Sequence, residues 1–350
     1  MDNTKKVFRE IKADAMLTSS SDLRRYLTGF PSSFGFVYTD FQESIFFTDP
    51  RYAEGARNAL KNEFISVEIA KSEESVLEYI KSKKVKRLAV PMERLTVPEA
   101  QLLKKFRFKL ADSMPAFTEA MAVKTEEELA LIRRACEIAE AAYADFLGYL
   151  KEGMTESEAA GYLEFAMRKK GAEDRSFETI VAFGKNTSVP HHSPDETKLK
   201  KGMPVLADFG CKSGGYCSDM TRTVLFGKSE DGEFEEVYGE VLAAHRNALE
   251  GIREGMHGRE ADALARDLLK KKGLDKFFTH SLGHGIGINI HEFPRLSASS
   301  DDILKNGMVF SVEPGVYFEG KFGIRIEDSV YLKDGVAASF MKTDKKLIVI

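Results

Sequence analysis

The sequence predicts an α/β (α+β) chain of two domains, a small one over 1–120 and a larger one over 121–350 with an internal pseudo-twofold repeat. Three observations predict it. The 350 residues exceed the roughly 150 of a usual single domain. The first 120 residues read as short alternating helices and strands, and the remainder matches itself at a nearly constant offset.

Composition narrows the function. Lys and Arg total 51 against 55 Asp and Glu, so the basic excess that phosphate binding demands is missing and no nucleic-acid partner is expected. No stretch approaches the ~20 apolar residues of a membrane span, and MDNTKKVFREIKAD has no apolar leader core, so a cytoplasmic protein is expected. The three cysteines, Cys136, Cys211 and Cys217, lack CxxC spacing and suit reduced thiols. GxxxxGK[ST] and GxSxG are missing, and Gly283, Gly285 and Gly287 have the wrong spacing for GxGxxG.

In chain order, a strand is predicted over 15–18, a hairpin over 34–38 and 44–48, a helix over 52–61, and strands over 64–69 and 88–90. Lys83, Lys84, Lys86 and Arg87 read as a solvated loop before the last strand. A boundary is expected over 112–124, where the apolar pattern weakens and Pro115 interrupts it. Thr125 and Glu128 then form a T-x-x-E capping box, opening a helix whose buried face carries Leu129, Ile132, Cys136, Ala139, Tyr143, Phe146 and Leu150.

The repeat follows. Leu150-Lys-Glu-Gly-Met154 recurs as Ile252-Arg-Glu-Gly-Met256 and Lys169-Lys170-Gly171 as Lys271-Lys272-Gly273, both 102 residues on. Each copy reads as a long helix ending at the Gly, then a second amphipathic helix stopped by a Gly. Asp208 recurs as Glu313 and Gly210 as Gly315, 105 residues on, and Asp219 as Glu327, 108 residues on. Each half therefore delivers two carboxylates.

Asp208 and Glu313 lie in apolar runs, where an unpaired carboxylate is costly to bury. Two divalent ions would balance four such charges and depress the pKa of a shared water. The alternative, a carboxylate–arginine network, has only Arg222 and Arg325 nearby in sequence and falls short by two charges if all four groups converge. His284, between two glycines, is a candidate ligand, whereas His191 and His291 suit proton transfer or carbonyl polarisation. His192, His245 and His257 read as structural, His245 on a helical apolar pattern with Val241 and Leu249.

The ordered set Pro190-His191, ADFG at 207–210, GYCSDMTR at 215–222, SLGHGIGINIHE at 281–292, SVEPG at 311–315 and RIED at 325–328 resembles the creatinase/aminopeptidase P/prolidase family of M24 metallopeptidases. TDPRY at 48–52 resembles that family's N-terminal domain more weakly. The resemblance implies a creatinase-like N-terminal domain and a pita-bread catalytic domain. It makes Asp208, Asp219, His284, Glu313 and Glu327 ligands of two metal ions, with Asp219 and Glu327 bridging; the match selects Glu327 rather than Asp328, and neighbouring strand residues face opposite ways. His191 and His291 match histidines near the substrate, with His280, Arg325 and Tyr216 as supporting or substrate-binding groups.

An oxygen-rich donor set favours manganese, cobalt or iron(II), and the resemblance implies manganese or cobalt, with zinc or iron possible. The implied reaction is hydrolysis before proline, whose nitrogen has no hydrogen and whose ring fixes φ. In that reaction Glu313 relays the water's proton, His291 helps stabilise the oxyanion, and His191 positions the substrate or protonates the leaving nitrogen. A Xaa-Pro dipeptidase is preferred to an aminopeptidase P acting on longer peptides. A metal-free C–N hydrolase or a non-catalytic scaffold fits the intact ligand set poorly. The partners implied are short proline-containing peptides and a second subunit in a homodimer.

Overall fold

Residues 3–61, 64–229 and 232–350 are described by the structure, a computed structural model in which the chain divides into two units, 1–121 and 122–350. In the first unit six strands form one sheet: β1 (Ala15–Thr18), β2 (Phe36–Asp40), β3 (Ser44–Thr48), β4 (Ser66–Ile69), β5 (Arg87–Val90) and β6 (Lys109–Asp112), in the order β4-β3-β2-β1-β5-β6. β1, β2 and β3 pair antiparallel, and the remaining pairs are parallel. Helices α1 (Asn3–Arg9), α2 (Ser21–Thr28), α3 (Pro50–Ala59), α4 (Glu73–Ser82) and α5 (Val97–Phe106) accompany the sheet.

Several readings of this region shift: the first hairpin strand spans Phe36–Asp40 rather than 34–38, and the strand expected over 64–69 spans Ser66–Ile69. α3 begins at Pro50 rather than 52, because Asp49 caps it by accepting from Arg51 N and Pro50 occupies the first turn, where a missing N–H costs nothing. The 112–124 stretch contains a helix, α6 (Met114–Ala122), with Pro115 in its first turn and Phe117 fully buried. Proline there starts a helix instead of interrupting one.

The second unit opens with α7 (Glu126–Tyr149), whose Thr125–Glu128 capping box is formed in both directions and whose predicted apolar face is buried. α8 (Glu156–Lys169) follows. Then come β7 (Asp174–Arg175), β8 (Ile180–Phe183), β9 (Met203–Phe209), β10 (Cys211–Ser213), β11 (Tyr216–Cys217) and β12 (Met220–Phe226). The second half has α9 (Glu233–Gly251), α10 (Gly258–Lys271), β13 (Gly283–Gly285), β14 (Glu292–Leu296), β15 (Val309–Val312), β16 (Gly315–Phe318), β17 (Phe322–Arg325), β18 (Asp328–Lys333) and β19 (Val336–Ser339).

The repeat is visible in three dimensions. α8 and α10 each have 14 residues. Gly153 N donates to Leu199 O and Gly255 N to Leu304 O, both at 2.8 Å. The long helices end at Tyr149 and Gly251, however, before the glycines: Leu150 and Ile252 turn to extended backbone (ψ 129° and 131°) and enter the core. Gly153 and Gly255 serve the following turn with φ of 88° and 85°, a conformation that disfavours a side chain.

β9 lies between β8 and β12, as β15 lies between β13 and β18, all antiparallel. Thr221 faces Asp208 across β9–β12, and Asp328 faces Val312 across β15–β18. The four carboxylates therefore sit on or beside the ends of paired strands, two from each half. No helix among the described residues is long and apolar enough to cross a membrane.

Candidate metal centre

Backbone bonds between the halves bring the carboxylates together. Glu327 N donates to Thr221 O at 3.1 Å, and Asp219 N donates to Ser329 Oγ at 3.0 Å. His284 is carried by β13 against β15, its N–H donating to Ser311 Oγ at 3.0 Å. Gly283 allows this approach, since a Cβ there would lie 1.9 Å from Ser311 O.

His284 Nε2 lies 3.4 Å from Glu313 Oε1 and 3.6 Å from Asp219 Oδ2. Its Nδ1 donates to Gly285 O at 3.2 Å, which leaves the Nε2 lone pair facing the carboxylates. Ligand atoms of Asp219, His284 and Glu327 all lie within 4.8 Å of one another. Asp208 Oδ2 accepts from Arg325 Nη2 at 2.6 Å, while its Oδ1 is buried with no partner among the described residues. Glu327 Oε2 accepts from Thr221 Oγ1 at 2.6 Å, and Glu313 Oε1 from Ser311 Oγ at 3.0 Å.

Cationic side chains do not balance this group. Arg325 reaches it, but Arg222 binds Asp328 Oδ1 at 2.9 Å instead. The carboxylate–arginine alternative thus falls short by three charges rather than two, since Asp328 occupies the opposite strand face and takes the second guanidinium. Burial, and then the neighbouring carboxylates, push Asp219 and Glu327 well above the usual range; burial pushes Glu313 up to about 8. An orphaned buried oxygen beside under-compensated carboxylates and an oriented imidazole is a donor set that fits hard or borderline divalent cations.

The surrounding cavity has a volume of about 840 Å³ and is lined by every site residue named from the sequence except Tyr216. Tyr216 is drawn elsewhere, its hydroxyl donating to Glu128 Oε1 on α7 at 2.6 Å, where it ties a buried strand to that helix. The His291 ring lies 4.2 Å from that of His284. His191 is exposed on the cavity wall. His280 donates from Nδ1 to Ser281 O at 2.8 Å and accepts at Nε2 from Tyr317 OH at 2.9 Å. Burial, and then Arg325, hold His280 at about 3, and burial, and then His291, hold His284 at about 4. His245 is fully buried on α9, away from the cavity lining.

Thr221, Ser311, Tyr317 and Arg295 were not legible as site residues. Tyr317 accepts from Arg325 Nη1 at 2.6 Å and thereby orients the guanidinium that holds Asp208. Arg295 lines the cavity with an exposed side chain that makes no ion pair among the described residues. A single arginine in EFPRL carries no spacing signal that would reveal this.

Residues 130–334 match metallopeptidase family M24, and residues 1–121 match the creatinase/prolidase N-terminal domain. The chain is 34% identical to an uncharacterized peptidase of Bacillus subtilis (strain 168) over an aligned length of 366, which covers 100% of this chain and 99% of the other. Its fold is similar to that of a Xaa-Pro dipeptidase from Bacillus anthracis, with TM-score 0.94, 34% identity, and 99% and 98% of the two chains covered. It is also similar to an X-Pro aminopeptidase from Thermotoga maritima MSB8, with TM-score 0.92, 33% identity, and 98% and 99% covered.

Proposed function

The chain belongs to metallopeptidase family M24, and from that premise we propose that it hydrolyses the bond before proline in short peptides, as a Xaa-Pro dipeptidase. The observation that carries this reading is Arg295. An unpaired guanidinium on the cavity wall suits the free carboxylate of a C-terminal proline, a partner that a longer peptide does not offer there.

Asp208, Asp219, His284, Glu313 and Glu327 would hold two divalent cations, and their oxygen-rich donor set suits manganese, cobalt or iron(II). Bound there, the cations supply Lewis acidity and lower the pKa of a water. Glu313, whose Oε1 lies 3.4 Å from His284 Nε2 in the cavity, accepts the water's proton and returns it to the leaving nitrogen. His291, on the cavity wall with its ring 4.2 Å from that of His284, donates to the developing oxyanion. His191, at the solvent side, orients the substrate. Arg325 keeps Asp208 turned into the cavity.

A second reading, aminopeptidase P action on longer peptides, is favoured by the cavity volume of about 840 Å³, which leaves room beyond a dipeptide. The deciding experiment uses metal-stripped protein reconstituted with manganese, cobalt or zinc, and compares a Xaa-Pro dipeptide, its C-terminal amide and a Xaa-Pro-Yaa tripeptide. The expected result is cleavage of the dipeptide alone, with Arg295→Ala raising its KM about 10- to 100-fold, the worth of one charge-assisted hydrogen bond. Strong tripeptide turnover replaces the first reading with the second. No turnover of any of the three with any metal overturns both.

A further inference from the structure

We propose that Glu156, at the start of α8, is a positioning residue for His191, acting through His192. Glu156 is fully buried and lies outside the cavity lining. A buried carboxylate needs partners, and this one has a full set. Its Oε1 accepts from Phe183 N at 2.6 Å and Asn186 Nδ2 at 3.0 Å. Its Oε2 accepts from His192 Nε2 at 2.6 Å and Asp195 N at 3.0 Å. A carboxylate offers about four acceptor sites, so all are filled. Ligand atoms of Glu156, His192 and Asp195 are close enough to hold a cation, but the two Glu156 oxygens are already committed to N–H donors.

The four donors come from both ends and the interior of one loop, residues 183–195, which carries His191 into the cavity wall. That loop is also stitched to α8 by Glu156 N donating to Thr197 O at 3.2 Å and Ser157 N donating to Asp195 O at 3.1 Å. His191 itself stands between two anchors. Before it, Pro190 O accepts from Arg325 Nη1 at 3.4 Å, the same guanidinium that holds Asp208. After it, the His192 ring is fastened to Glu156. Pro190 and Pro194 restrict the backbone on either side.

The internal repeat separates this task from mere helix building. The residue at the same place in the second half is Gly258, also the first residue of a 14-residue helix. The helix start therefore needs no carboxylate; only the half that presents His191 has one.

The effect on turnover rests on the peptidase reading above, whereas the pinning of the loop does not, and the test reads the two separately. Amide hydrogen exchange over 184–196 should rise in Glu156→Gln and in His192→Phe, with exchange over 203–226 and metal content unchanged. His192 is partly exposed, so His192→Phe keeps the test open should Glu156→Gln fail to fold. On a Xaa-Pro dipeptide, Glu156→Gln should lower kcat/KM about 10- to 100-fold, as loss of supporting hydrogen bonds around a site does. In a His191→Ala background the same substitution should change kcat/KM by less than about twofold, because a residue that acts through His191 has nothing left to position. His192→Gln, which keeps an N–H donor, should recover most of what His192→Phe loses. Unchanged exchange over 184–196, or an undiminished loss in the His191→Ala background, overturns the proposal. If the unmodified protein cleaves no proline peptide, the peptidase reading falls and the exchange measurement alone decides the pinning.

Discussion

Lys124 Nζ lies 3.1 Å from Glu292 Oε2, and both side chains are shut away from water, at 1% and 7% exposure. Glu292 directly follows His291, and its other oxygen accepts from Asn289 N at 2.9 Å, so this ion pair fastens the loop that presents His291. Gly287 makes room for it, since a Cβ there would lie 2.2 Å from Glu292 Oε2. Removing one partner strands a buried charge, so Lys124→Met is expected to destabilise the protein by about 3–5 kcal/mol. Urea unfolding checks this: the midpoint should fall with an unchanged slope.

Glu327 and Asp328 are neighbours with separate tasks. Glu327→Gln should weaken metal binding, read by titration calorimetry with manganese, without lowering the stability of the metal-free protein. Asp328 is fully buried and binds Arg222 at 2.9 Å and Lys345 at 2.9 Å. Burial alone would raise its pKa, but Arg222, His245 and Lys345 hold it down to about 2. That stabilisation is present above the ordinary value of 3.8 and is lost as pH falls towards 2. Asp328→Asn should therefore cost about 3 kcal/mol at neutral pH, by thermal unfolding, while two metal ions still bind.

Metal removal should change the pH dependence of stability. Glu313 rises from 4.5 to about 8 in the fold, so its contribution is complete below 4.5 and is lost as pH rises through 8; Asp219 and Glu327 shift the same way. His280 and His284 are depressed from 6.5 to about 3 and about 4, so their contribution is complete above 6.5 and is lost in acid. Of these five groups only the carboxylates still change their contribution between about pH 6.5 and 8. In that window the Tm of chelator-treated protein should fall, and the Tm gain on adding manganese should grow. A flat, metal-independent Tm across the window would contradict the assignment of a cation site.

Glu313→Gln should lower kcat about 10²- to 10⁴-fold if Glu313 carries the proton. Metal content measured on the same sample separates a lost ligand from a lost base. Full turnover with two metals bound would remove the relay role. His291→Ala should lower kcat about 10²- to 10³-fold with little change in KM, as loss of an oxyanion donor does.

The repeat at offsets of 102 to 108 was readable in the chain because each half must build the same helix pair and strand pair, and apolar spacing, capping residues and turn glycines encode those locally. The same repeat exposed the four carboxylates, since charges inside apolar runs stand out. Local signals also misled, as at Pro115, where the same residue that interrupts a helix interior begins one. Tertiary structure alone decided which charges meet. Arg325 turned to Asp208 and Arg222 to Asp328, Tyr216 left for α7, and Tyr317, Thr221 and Glu156 became partners of residues 8 to 106 positions away. Hydrogen-bond partners at such separations follow from strand register and close packing, which no periodicity along the chain records.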